Sequence, residues 1–74
     1  MYAILTYDVA AKRAGKVARI CKRYLRHVQR SVFEGCITQA KLETLKTELE
    51  KKTDKSYDSI RIYELNTPLL ITNI

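Results

Sequence analysis

The 74-residue sequence is poor in soft metal ligands, holding two cysteines and one histidine. Zinc needs about four Cys, His or acidic ligands, and Cys21, Cys36 and His27 have no spacing that would gather them. Two cysteines leave room for one disulfide, which a cytosolic setting disfavours. Both positions suit an apolar side chain, so both cysteines are read as core fillers. There is no Gly/Ser-rich linker, low-complexity tract or internal repeat, which argues for one domain over residues 1–74. The apolar start, residues 1–7, has neither a basic leader nor a small-residue cleavage site, and falls far short of the ~20 residues of a membrane span. These absences predict a cytoplasmic protein without a membrane partner.

A further absence is more telling. Residues 9–33 contain no Asp or Glu, yet carry Lys12, Arg13, Lys16, Arg19, Lys22, Arg23, Arg26 and Arg30. That stretch holds a charge of +8, while the rest of the chain holds −2 and the whole +6. Basicity confined to one stretch points to a polyanion, either DNA or RNA. A membrane surface is a poorer target, because the apolar side of this stretch is too narrow for deep insertion.

The order of elements follows from periodicity. Residues 2–8 form a strand, with Ala3, Leu5 and Tyr7 on one side and Tyr2, Ile4, Thr6 and Asp8 on the other. Residues 10–26 read as a helix whose buried stripe is Val17, Ile20, Cys21, Tyr24 and Val28. Lys12, Lys16, Arg19, Arg23 and Arg26 share another side. Gly15 interrupts it at a cost of about 1 kcal/mol relative to Ala, either as a tolerated residue or to admit a close approach. Residues 27–37 suggest two short strands with a reversal near Arg30 and Ser31, or one bulged strand. Thr38 can cap the next helix, which buries Leu42, Leu45 and Leu49. Its solvent side carries Glu43, Lys46, Glu48 and Lys52, with Glu48 and Lys52 spaced to pair. Residues 53–57 make a polar loop and residues 58–65 a strand. After a break at Asn66, Thr67 and Pro68, an apolar tail follows.

The predicted fold is α+β, a ferredoxin-like βαββαβ sandwich with an extra C-terminal strand at residues 65–74. A chain this short buries only roughly 60% of its unfolded surface, and apolar groups on both sides of the first strand call for a cover. A two-fold partner supplies one, giving a homodimer in which the tail pairs with the partner subunit.

Asp8 is the leading site candidate. Mg²⁺ keeps several waters, so one carboxylate per subunit can hold it, and such an ion would offset charge in phosphodiester hydrolysis. Capping of the following helix is the competing role. Tyr7 is read as core. Lys12, Lys16, Arg19, Arg23 and Arg30 are candidate phosphate contacts. His27 is a weaker candidate, as a general acid or base. Ser31 is a turn residue, since no His-acid pair is spaced to activate it.

Three segments together resemble the CRISPR-associated protein family two: Ala3-Ile4-Leu5-Thr6-Tyr7-Asp8-Val9, Val28-Gln29-Arg30-Ser31-Val32-Phe33-Glu34-Gly35 and Asp58-Ser59-Ile60-Arg61-Ile62-Tyr63. The resemblance implies a homodimer with facing sheets and one Mg²⁺ between the two copies of Asp8. It also implies nuclease activity on single-stranded RNA or double-stranded DNA. The implied role is spacer acquisition beside a CRISPR integrase subunit. Phe33 is read as core or dimer interface, and Leu69 and Ile71 as interface residues of the tail. Many members of that family have an arginine where this chain has His27, and many extend further at the C-terminus. Two alternative roles are a non-enzymatic DNA scaffold in the integrase complex and a virulence-associated-protein-D-like toxin ribonuclease. A ferredoxin-like small-ligand module is disfavoured by the cationic helix.

Overall fold

A computed structural model describes residues 1–65. Its elements are β1 (Tyr2–Asp8), α1 (Ala11–Lys22), β2 (Arg26–Gln29), β3 (Val32–Cys36), α2 (Gln39–Lys52) and β4 (Ser59–Leu65). The four strands form one sheet in the order β2-β3-β1-β4, with every neighbouring pair antiparallel. Among the described residues no helix is long and apolar enough to cross a membrane. The tail strand and the residues Leu69 and Ile71 lie outside the described part.

Alternation along β1 divides the sheet into two faces. Leu5 stands opposite Phe33 on β3 and Ile62 on β4. Ala3, Leu5 and Phe33 are fully buried on the side that both helices cover, against Val17, Ile20 and Cys21 of α1 and Leu42, Leu45 and Leu49 of α2. The other face carries Tyr2, Ile4 and Thr6, each only half-buried, and exposed Asp8.

Helix α1 stops at Lys22, before the expected end at residue 26. Two tightening i→i−3 bonds end it, Arg23 N–H to Ile20 C=O (3.2 Å) and Tyr24 N–H to Cys21 C=O (3.0 Å), and Leu25 N–H shares the Cys21 carbonyl (2.8 Å). Leu25 then enters the core in place of Val28, which is exposed, and Arg26 joins the sheet opposite Glu34. The hairpin of β2 and β3 takes the first alternative, two short strands with a reversal, and not one bulged strand. It reverses at Arg30, whose φ of 37° lies in the left-handed region, and β2 shifts register between His27 and Gln29. That extra residue turns Val28 outward.

Helix α2 begins as expected, with the Thr38 hydroxyl accepting from Lys41 N–H at 3.2 Å. Glu48 departs from expectation. It accepts from Arg23 and from the Tyr24 hydroxyl at the end of α1, so it joins the two helices and does not pair along α2. Burial separates the cysteines as well. Cys21 is a core residue whose thiol pKa is pushed up to about 12 by desolvation, whereas Cys36 is exposed at the end of β3. Its strand position, opposite Tyr2, puts it on the uncovered face.

Candidate metal and nucleic-acid site

Asp8 is the last residue of β1 and stands opposite Ser59 of β4. It is exposed on the uncovered face, in a shallow cleft with Thr6, Tyr7, Ser59 and Arg61. The capping role fails. Helix α1 has Ala10 at its N-cap and no side-chain capping bond. Its entry is held by a different acid, Asp58, whose Oδ1 accepts from Ala10 N–H at 2.9 Å. Asp58 also accepts from Arg13 Nε (2.6 Å) and Nη2 (3.0 Å) and from Asp54 N–H (2.8 Å). With its side chain 1% exposed, its carboxyl is held well below the usual range, first by the Arg13 bond.

Among the described residues no three His, Cys, Asp or Glu side chains gather into a metal site. A single exposed carboxylate therefore fits a divalent ion only as one part of a shared site, with water completing the shell. Tyr7 lies half-buried over the core, with its ring 6.2 Å from that of Phe33, and desolvation raises its pKa.

The cations of residues 9–33 fall into two groups. Arg13 is committed to Asp58, Arg23 to Glu48, and Arg26 to Glu34 at 3.4 Å. Lys12, Lys16, Arg19 and Lys22 are exposed along α1 and form no ion pair among the described residues. Lys16 and Arg19 line a groove with Ile20, Arg23 and Lys52, the last contributed by α2. Arg30 is exposed at the hairpin turn.

His27 does not join Asp8. It pairs with Phe33, on the helix-facing parity of the sheet, while Asp8 has the parity of Ile4 and Thr6 on the opposite face. Its ring stacks on Phe33 at 4.6 Å, and Nε2 lies 2.6 Å from the Arg30 carbonyl, which requires Nε2–H as donor. Within one protomer it is a turn brace. Ser31 serves the same turn, its carbonyl accepting from Tyr7 N–H at 3.2 Å. Of the two roles expected for Phe33, core and not interface is the one it takes: at 0% exposure between the Tyr7 and His27 rings it has no surface to present.

Periodicity did not reveal Asp58, Arg61 or Lys52 as members of these sites. Asp58 and Arg61 stand in the third of the resembling segments, and that was the only signal available for them.

A family model described as "CRISPR associated protein Cas2" matches residues 1–68. The CRISPR-associated endoribonuclease Cas2 of Frankia alni is 45% identical over 71 residues, covering 96% of this chain and 82% of that protein. A second relative, from Thermodesulfovibrio yellowstonii, carries the same description and is 52% identical over 68 residues, covering 92% of this chain and 77% of its own length. The crystal structure of Streptococcus pyogenes Cas2 superposes with a TM-score of 0.86 at 35% identity, covering 100% of this chain and 99% of that one. On sequence and fold together, the chain belongs to the CRISPR associated protein Cas2 family.

Proposed function

We propose that this chain is a CRISPR adaptation protein of ferredoxin-like topology. It acts as a homodimer in the cytoplasm, binds nucleic acid along α1, and hydrolyses phosphodiester bonds with the help of Mg²⁺. The observation that carries this reading is the state of Asp8. It is exposed and takes no internal partner among the described residues, although Arg13 lies a few residues away and is fully engaged by Asp58. The names of relatives, endoribonuclease or endonuclease Cas2, support a nuclease.

The uncovered sheet face supports a dimer. Half-buried Tyr2, Ile4, Thr6 and Val32 lie on the face that carries Asp8, so packing two copies by that face would bring two Asp8 carboxylates towards the axis. Asp8 of each copy would hold the ion, which when bound would neutralise charge developing on the phosphate. Lys12, Lys16 and Arg19 would hold the flanking phosphates by charge. The test compares wild type and Asp8→Asn on labelled RNA and duplex DNA, with and without Mg²⁺. Cleavage should require both Asp8 and the ion, with binding intact. Undiminished cleavage by Asp8→Asn would overturn the reading.

A second reading has its own observation. His27 sits across the sheet from Asp8 and is bound to Arg30, so among the described residues no histidine or second carboxylate accompanies Asp8 within a protomer. This favours a DNA scaffold for a CRISPR integrase subunit, with the chemistry in the partner. Co-expression with such an integrase tests it: spacer integration should survive Asp8→Asn if the chain is a scaffold. Family membership leaves the toxin ribonuclease without specific support.

A further inference from the structure

Tyr57 is 72% exposed, more than any other large hydrophobic or aromatic side chain among the described residues. Slackness of the loop does not account for this. Within residues 54–58, Tyr57 and Asp58 N–H donate to the Asp54 carbonyl (3.0 and 2.7 Å). The Ser56 N–H and hydroxyl donate to Asp54 Oδ1 (3.0 and 2.7 Å), and Asp54 N–H donates to Asp58. The loop is tied at every turn and still presents a bare ring.

Behind the ring stands a fixed cation. The Arg13 guanidinium, gripped in a fork by Asp58, has its central carbon 6.0 Å from the Tyr57 centroid. Ring, Ala10, Lys12, Arg13 and Asp54 line one cleft. Lys12 is exposed at its edge, and the one acid lining it, Asp54, is already bonded by Ser56. The loop runs directly into Ser59, the register partner of Asp8, so the ring lies at the Asp8 end of the sheet.

We propose that Tyr57 is a stacking platform for an unpaired nucleobase of a single strand, with Lys12 on the adjoining phosphate. This rests on the nucleic-acid reading above and adds a substrate preference to it. A flat ring backed by a cation suits the π-face of any base. Bases inside a duplex are already stacked and cannot use it, so the platform distinguishes single strands from duplex.

The chain has no tryptophan, so Tyr57→Trp installs a single indole reporter. Titration with a single-stranded oligonucleotide should quench its emission, and a duplex of equal length should not. Fluorescence anisotropy at one fixed salt concentration supplies the second measurement. Tyr57→Ala should weaken single-strand binding about tenfold and leave duplex binding unchanged, while Tyr57→Phe should bind as wild type. Single-strand binding with an unquenched indole and an unaffected alanine variant overturns the platform alone. Quenching by duplex but not by single strand overturns the single-strand preference. If the wild type binds no nucleic acid of either kind, the broader reading falls with it.

Discussion

Asp8 at the end of β1 and Asp58 immediately before β4 are the same residue type at one end of neighbouring strands, a single register step apart. Yet Asp58 is enclosed and accepts four hydrogen bonds, while Asp8 is open to solvent and accepts none among the described residues. The difference lies in the faces and partners. Asp58 closes the junction between α2, β4 and the entry to α1, where Arg13 and two backbone N–H groups need an acceptor. Asp8 follows Ile4 and Thr6 onto the face without helices. The fold consumes one carboxylate and leaves the other exposed, and the cations divide in the same way.

The largest expected effect tests the free member. Asp8→Asn should lower cleavage roughly a hundredfold or more, the scale of losing a main electrostatic contribution to the transition state. Its melting curve should stay within about 0.5 kcal/mol of wild type, as for other exposed substitutions. Gel cleavage assays and thermal melts on the same preparation check both halves. A large loss of stability would mean that Asp8 is structural too, and the contrast would collapse.

The consumed member should behave in reverse. Asp58→Ala strips the fork from Arg13 and the acceptor from Ala10, so Tm should fall by several degrees while the loss of cleavage follows only the loss of folded protein. The acid limb sharpens this. The Arg13 bond holds the folded pKa of Asp58 below its unfolded value. The carboxylate's stabilisation is therefore fully present above an unfolded pKa of about 4, and declines as pH drops from there towards the folded pKa. In Asp58→Asn, melts across the acid range should show a shallower fall. Depressed values at Glu48 and Asp54 preserve part of the slope.

This contrast marks what could be read from the chain alone. The first strand, the Thr38 cap, the leucines of α2 and the Arg30 reversal are local patterns, and local rules found them. Asp58 and Arg13 are 45 positions apart, and Glu48 meets Tyr24 at 24. No periodicity connects such pairs, so local spacing pairs Glu48 within its own helix and points to Asp8 as the capping acid. The interface role for Phe33 and the core role for Cys36 fail for another reason. Parity along β3 depends on register with β1, and only the assembled sheet shows that Phe33 faces the helices and Cys36 does not.

Among the cations, the contrast predicts unequal salt dependence. Lys16→Ala and Arg19→Ala should each reduce the slope of log K against log salt by about 0.9 on duplex DNA, one phosphate contact apiece. Arg23→Ala should change it less, because Glu48 already holds that guanidinium. Anisotropy titrations over a salt series decide it. Equal slopes for all three would show that ion pairing within the fold does not sort the cations.

The smallest expected effect concerns Gly15, which shares the exposed side of α1 with Lys12, Lys16 and Arg19. A Cβ built there meets nothing within 4 Å, so no neighbour within the described chain explains a residue that costs the helix about 1 kcal/mol. Gly15→Ala should therefore raise stability by about that amount, or Tm by about 4–8 °C for a domain of this size. If the bare backbone serves the same surface as the free cations, the added methyl should also weaken oligonucleotide binding by about two- to threefold, since it fills the approach to the phosphates. Thermal melts and anisotropy on the one variant separate the two roles. A stabilised protein with unchanged affinity makes Gly15 a tolerated defect. A stabilised protein with weakened affinity extends the division between consumed and free groups from side chains to the backbone of α1.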